Sequence, residues 1–301
     1  MRILLTGATG LIGSRLVQRL AGLGHTVTAL SRSPDRARAA LPDLDDAWLW
    51  RPGEATPPLQ SLACDAVVHL AGESVAGRWS AAKKQRILES RREGTRELVQ
   101  AIADAPDRPA ALISASAVGY YGERGDAELQ ESDPPGEGFL PEVCVAWERA
   151  AQGAEALGLR VLRLRMGLVL DPDGGLLGES LPLARAGLGG PLGSGRQWWP
   201  WVHRDDVIAA MVAGVTGTAA GVWNVTAPQP VRQGDFARTL GRVLGRPAVL
   251  PAPAFALRLV LGGFADEPLL SRRALPVASQ ADGVRFAWPE LEPALRDLLD
   301  R

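Results

Sequence analysis

Gly7, Gly10 and Gly13, evenly spaced near the start of the chain, have the pattern of a backbone that closes around a pyrophosphate. The first glycine permits a sharp turn, the second lets main chain approach a phosphate, and the third lets a helix lie close on a strand. With Thr9, Leu11 and Ile12 they make one expected binding loop. The flanking residues supply the context that this spacing needs. Ile3, Leu4 and Leu5 read as a covered strand, Leu11, Leu16, Val17 and Leu20 recur at helical spacing, and Thr26–Leu30 reads as a second strand. The chemistry expected of such a loop is dinucleotide binding at a helix N-terminus.

The second strand runs into Ser31-Arg32-Ser33, where a site that prefers NAD sets an acid against the ribose hydroxyls. Arg32 instead suits a 2′-phosphate, with Ser31 and Ser33 as further donors, so NADP(H) is expected over NAD(H). The other reading leaves Arg32 in solvent and lets Asp35 reach the ribose. Asp65–Gly72 is an apolar run that ends in Leu70, Ala71 and Gly72, where main chain can come close to a ligand. His203, after a run of tryptophans and before Arg204-Asp205-Asp206, has the one side chain whose ordinary pKa suits proton transfer near neutrality. It either faces a substrate or merely joins a strand to a helix. Trp198, Trp199 and Trp201 form either an apolar wall for a ring-shaped substrate or the packing between two lobes. No His, Cys and carboxylate spacing suggests a metal site.

These groups need elements to hold them. Beyond the first βαβ unit, residues 34–63 read as irregular, with Ala47–Trp50 as a short third strand. Then come a strand at Asp65–Gly72, a helix over Ala81–Ala103, a strand at Ala111–Ser116, a helix over Pro141–Leu157 and a strand at Arg160–Arg165. Strands alternating with helices predict an α/β fold, a Rossmann-type doubly wound parallel sheet with ligands at the carboxyl ends of its strands. From Asp171 onward glycine and proline punctuation predicts long loops and a smaller C-terminal lobe on the substrate side. Helices are expected at Asp205–Val215, Gln233–Leu244, Pro253–Leu261 and Glu290–Leu299, with a strand at Val222–Val225. The expected division is 1–170 for the dinucleotide-binding domain, its sheet completed by strands from 200–230, and 171–301 for the second lobe.

Composition narrows the classes. The 301 residues carry 33 Lys plus Arg against 34 Asp plus Glu, so there is no global basic field for nucleic acid or an anionic membrane. The 2 cysteines, Cys64 and Cys144, offer neither a disulfide framework nor a zinc set, which fits a reducing cytoplasm. The apolar start is broken at once by glycines, unlike a secretory leader, and no run has the length and apolarity of a membrane span. A cytoplasmic protein acting on a small molecule, with no nucleic acid or membrane partner, is the expectation.

Taken together, Thr6–Gly13, Asp65–Gly72, Ser114–Gly122 and Trp201–Val207 make the chain resemble the short-chain dehydrogenase/reductase superfamily, in its NAD(P)-dependent epimerase/dehydratase branch. His69–Glu73, Ser90-Arg91, Ala146–Glu148, Gly189–Gly195 and Phe264–Leu270 are similar to an atypical subgroup with an extra C-terminal domain. The resemblance covers essentially the whole chain. It implies a Rossmann domain, an NADP-type cofactor, and an oxidoreductase or epimerase-like activity on a carbonyl, hydroxyl or sugar-nucleotide-type substrate. Homodimers are common in the superfamily. Ser116 matches the serine that hydrogen-bonds the substrate oxygen, and Arg91 stands near a usual asparagine, either to bind an anionic substrate group or as a surface arginine.

The superfamily's Tyr and the Lys four residues later are missing. That lysine supports a tyrosine whose ordinary pKa of ~10 makes it a poor base. Depending on alignment, the two positions hold Cys144 and Glu148 or Val143 and Trp147. Tyr120 could supply a phenol or pack beside the nicotinamide, Glu148 could act as an acid/base if desolvated or be ion-paired, and Cys144 lacks an adjacent activating base. The lost pair also suits an alternative, a catalytically silent NADPH-binding regulator or redox sensor.

Overall fold

The computed structural model of the chain describes residues 1–255, 259 and 262–300. Strand β1, Arg2–Thr6, is an interior strand of the central sheet. Its side chains alternate between two cores: Ile3 and Leu5 face one, and Leu4 faces the other. A strand buried on both faces has no polar side to give up, which is why this segment reads as a continuous apolar run. Six more strands join it in one parallel sheet: β2 (Thr26–Ser31), β3 (Asp46–Leu49), β4 (Ala66–His69), β5 (Ala111–Ala117), β7 (Arg160–Met166) and β11 (Gly221–Val225). The order across the sheet is β11-β7-β5-β4-β1-β2-β3. The chain winds one way from β1 to β3 and the other way from β4, so β1 and β4 flank the switch point where a crevice must open.

Helices α1 (Leu11–Gly22) and α6 (Arg204–Thr216) cover one face, burying Leu16, Val17, Leu20, Val207, Ala210 and Met211. Helices α3 (Ala81–Asp104) and α4 (Phe139–Gln152) cover the other, with Leu98, Ile102 and Ala151 on Leu4, Val67 and Leu112. Because β11 is a strand of this sheet and α6 covers it on the α1 side, the dinucleotide-binding layers take elements from well beyond residue 170.

A third core joins Leu177 and Leu181 of α5 (Gly175–Arg185), Trp201, Phe236 and Leu240 of α7 (Gln233–Leu244), and Leu291, Leu295 and Leu298 of the last helix, Leu291–Leu299. Three two-stranded pairs stitch this lobe together: β8 (Leu168–Leu170) with β10 (Trp201–His203), β9 (Trp198–Trp199) with β12 (Val231–Arg232), and β6 (Glu128–Leu129) with β13 (Arg273–Ala274). The Asp206 carboxylate accepts the Ala287 and Trp288 N–H groups at 2.8 and 3.1 Å, tying α6 to the C-terminal segment.

Two regions read as loops are more ordered. Residues 34–63 contain α2, Pro34–Ala40, which starts on a proline after Ser33, a position where the missing N–H costs nothing. The stretch after Asp171 contains α5, started by Gly174-Gly175. The helix expected over Pro253–Leu261 falls on residues 256–258, 260 and 261, which lie outside the described residues. Among the described residues no helix is long and apolar enough to cross a membrane.

Candidate functional site

The glycine turn is built by close approach of main chain. Gly7 has φ +73°, and a Cβ there would lie 2.9 Å from the Leu70 carbonyl carbon. A Cβ on Gly13 would lie 2.2 Å from the Gly7 oxygen, so that position admits no side chain while the turn keeps its shape. Helix α1 begins after Gly10, which supplies no side-chain cap, and its first turn holds no acid. The N–H groups of Leu11, Ile12 and Gly13 therefore have no intrahelical acceptor and the positive end of the helix is uncovered. These three residues, with Gly7, Gly10 and Leu70, line one end of a cavity of about 350 Å³. Thr9 is exposed on the same turn. A cradle that any Cβ would fill, ending on free N–H donors, fits the pyrophosphate of a dinucleotide.

The turn is held by a buried relay. The Thr6 hydroxyl accepts from the Leu70 and Ala71 N–H groups at 3.1 and 3.0 Å. With both lone pairs used, it donates its proton to His69 Nδ1 at 2.7 Å, and His69 Nε2–H then donates to Thr95 Oγ1 at 2.9 Å. Burial, helped by the nearby Arg91 charge, pushes the His69 pKa down to about 4, so the ring is neutral in this role. Ser31 ends β2 and Arg32 follows it, beside the strand that carries the turn. Arg32 is exposed, and the Ser31 hydroxyl accepts from Ser33 N at 3.1 Å. Asp35, the other candidate for the ribose, is bonded to Arg38 at 2.7 Å on α2.

Ser116, Val143, Cys144, Trp147 and Arg91 line the far end of the cavity, and Glu148 does not. Of the two alternative pairs four residues apart, Val143 and Trp147 both line the cavity, whereas of Cys144 and Glu148 only Cys144 does; neither Val143 nor Trp147 has an ionisable proton to give. Cys144 adds none: burial pushes its thiol up to about 12. Ser116 is buried, and its hydroxyl donates to Glu148 Oε1 at 2.6 Å. Glu148 is in turn held by Arg165, with Nε to Oε1 at 2.8 Å and Nη2 to Oε2 at 2.9 Å. Burial opposes the Arg165 charge, but the hydrogen bonds and attraction of Glu148 outweigh it and raise the guanidinium pKa. Arg165 also donates to the Tyr121 hydroxyl at 3.0 Å, whose single proton has Asn224 Oδ1 at 2.8 Å and the Gln130 carbonyl at 2.9 Å as its acceptors.

Glu148 takes the ion-paired alternative, as one arm of a buried pair with Arg165 whose Oε1 also accepts the Ser116 hydroxyl. Three expected site residues need correction. Tyr120 lies outside the cavity lining, its ring covered by the Arg165 guanidinium at 3.4 Å. Trp199 is a core residue of the C-terminal lobe, packed on Phe236 and donating to the Pro268 carbonyl at 3.0 Å. His203 caps α6 through Nδ1, stacks on Trp288 and has Nε2 3.3 Å from Asp297, and it is not among the residues that line the cavity. Arg165, Thr6 and Thr95 were not singled out from the sequence. Arg165 had left a signal, since an arginine at the end of a covered strand requires a buried partner.

The family model described as the NAD dependent epimerase/dehydratase family matches residues 3–226. A domain of unknown function, DUF1731, matches residues 252–298. The chain is 40% identical over 302 residues to the Arabidopsis thaliana protein called epimerase family protein SDR39U1 homolog, chloroplastic, covering 99% of this chain and 87% of that one. It is 35% identical to the Homo sapiens epimerase family protein SDR39U1, covering 99% and 100%. A crystal structure of the human protein (isoform2) with NADPH superposes with a TM-score of 0.88 at 33% identity over 100% of both chains. The structure called nucleoside-diphosphate sugar epimerase from Corynebacterium glutamicum gives 0.80 at 31% identity, over 99% of this chain and 58% of that one.

Proposed function

The chain belongs to the NAD dependent epimerase/dehydratase family, and from that premise we propose that it is an NADP(H)-dependent oxidoreductase or epimerase-like enzyme acting on a small carbonyl or hydroxyl compound. The observation that carries the reading is the uncapped glycine turn at the switch point, with Arg32 and no acid at the end of β2. The NADPH in the human relative's structure supports the phosphorylated cofactor. Gly7, Gly10, Leu11, Ile12 and Gly13 would hold the pyrophosphate, Leu70, Ala71 and Gly72 would border the dinucleotide, and Ser31 and Arg32 would hold the 2′-phosphate. Bound there, the nicotinamide supplies a two-electron hydride acceptor or donor.

Ser116 supplies the hydroxyl at the reacting end. Because its proton points to Glu148, its free lone pairs face the cavity and accept a substrate hydroxyl. In the oxidising direction, the substrate O–H proton passes to Ser116 Oγ as the serine proton passes to Glu148 Oε1, and the C–H leaves as hydride. Arg165 holds the carboxylate in place for this transfer. The apolar Val143 and Trp147 keep water from the reacting carbon.

A second reading is favoured by those same two residues: a protein that binds NADPH without turnover, as a regulator or redox sensor. Thermal-shift titration with NADPH, NADP+, NADH and NAD+, followed by reduced-nicotinamide absorbance against a carbonyl panel, separates the two. Selective stabilisation by the phosphorylated pair with substrate-dependent oxidation, lost in Ser116→Ala at unchanged NADPH affinity, is expected of the enzyme. Stabilisation without turnover supports the regulator. No stabilisation at all removes both.

A further inference from the structure

The polar groups at the reacting end of the cavity are unbalanced in charge. Arg91 reaches it from α3, its guanidinium stacked 4.9 Å from the Trp147 ring centre. Nη1 donates to the carbonyls of Glu73 and Ile87 at 2.9 and 3.2 Å. Neither acceptor carries a charge. The Glu73 carboxylate is given to Lys83 at 2.9 Å and Arg86 at 3.6 Å, and Glu148 is given to Arg165. Among the described residues, no carboxylate pairs with Arg91. The Trp147 indole N–H, buried in the same wall, has no acceptor among the described residues. Burial works against the Arg91 charge, yet a guanidinium does not surrender its proton, so the cavity wall holds a cation that an anion would stabilise.

The position of Arg91 tells which anion. The missing side chain of Gly7 faces the main chain of Leu70 and Ala71, at 2.9 and 3.0 Å. The missing side chain of Gly72 faces the Arg91 guanidinium carbon, at 3.1 Å. The segment 70–72 thus lies between the pyrophosphate turn and Arg91, which shares its part of the wall with Trp147 and Cys144. The remaining lining there, Val75, Leu140 and Val143, is apolar.

Resting on the oxidoreductase reading above, we propose that the substrate is a small hydroxy or oxo acid whose carboxylate is bound by Arg91 while its hydroxyl or carbonyl meets Ser116. Oxidation of the hydroxy acid gives the oxo acid, with hydride to NADP+ and the hydroxyl proton to Ser116 and on to Glu148. The carboxylate keeps its charge throughout, so Arg91 serves both directions. A bidentate, charge-assisted contact of this kind distinguishes an acid from a ketone of the same skeleton.

The test loads the protein with NADPH and titrates α-ketobutyrate and levulinate against propanal and butanone, which are the same carbon chains without the carboxylate. Wild type, Arg91→Lys and Arg91→Met are compared by calorimetry, with melting temperature as the check on folding. Wild type is expected to bind the acids at least tenfold more tightly than the neutral compounds. Arg91→Met should lose that preference at unchanged NADPH affinity, and Arg91→Lys should keep part of it. Acids bound no better than their neutral partners by wild type, a comparison needing no variant, would overturn the proposal. So would an Arg91→Met protein that loses NADPH affinity as much as acid affinity, since the cation would then belong to the cofactor phosphates. Failure of wild type to bind NADPH in the first titration would remove the cofactor reading itself, before any acid is added.

Discussion

Arg32 is exposed beyond β2 with no acid in the place where a ribose diol would need one. Its reversal to Asp should weaken NADPH binding on the order of tenfold to a hundredfold, the worth of a charge-assisted contact, and leave NADH nearly unchanged. Equal loss of both cofactors in a fluorescence titration would contradict the assignment. Behind Ser116, Arg165→Met would leave Glu148 as an uncompensated buried charge and should cost about 3–5 kcal/mol in chemical denaturation. His69 gives a pH dependence of known sign. Its pKa falls from about 6.5 unfolded to about 4 folded, so below pH ~6.5 the unfolded chain takes up the proton first. Stability should be full above that value and drop by about 3 kcal/mol as pH falls to ~4, a slope that His69→Gln, if it folds, should lack.

At the scale of elements, α1 is fixed by how closely its first turn lies on β1. Gly13→Ala should cost about 2 kcal/mol or more and depress the melting temperature and NADPH affinity together, because the added carbon meets the Gly7 carbonyl and not a movable side chain. The elements that bear the cofactor turn were legible in the sequence since each pattern is long enough to repeat: an apolar run, a glycine triplet, then helical spacing. Pro34–Ala40 was not, although a proline after Ser33 is a helix-start signal, because seven residues carry too few apolar positions to define a face. The two- and three-residue strands around Trp199 and His203 carry no period at all. Their direction is set by pairing with distant segments, which is how a tryptophan and a histidine expected at a substrate end up in a core and at a helix cap. The choice between Val143/Trp147 and Cys144/Glu148 likewise needed the rotation of α4 against β5, which spacing alone leaves open.

For the whole molecule, the C-terminal segment completes a core and is not an appendage. A chain ending at residue 251 would uncover Phe236, Leu240 and Leu177 and strip Asp206 of its two N–H donors. It should lose cooperative unfolding in calorimetry and bind a hydrophobic dye, whereas the full chain should melt in one transition. The sheet order follows from the alternation of strands and helices, but the return of β11 to its far edge depends on contacts that no local pattern records. The helix end left open by Gly10 has a further consequence, in the kinetics of encounter. With no acid in the first turn of α1 and Arg32 exposed beside it, the mouth of the crevice presents fixed positive charge to an arriving polyanion. Capture of NADPH should therefore slow steeply as salt rises, more so than capture of NADH with its smaller charge, while escape of either should hardly respond.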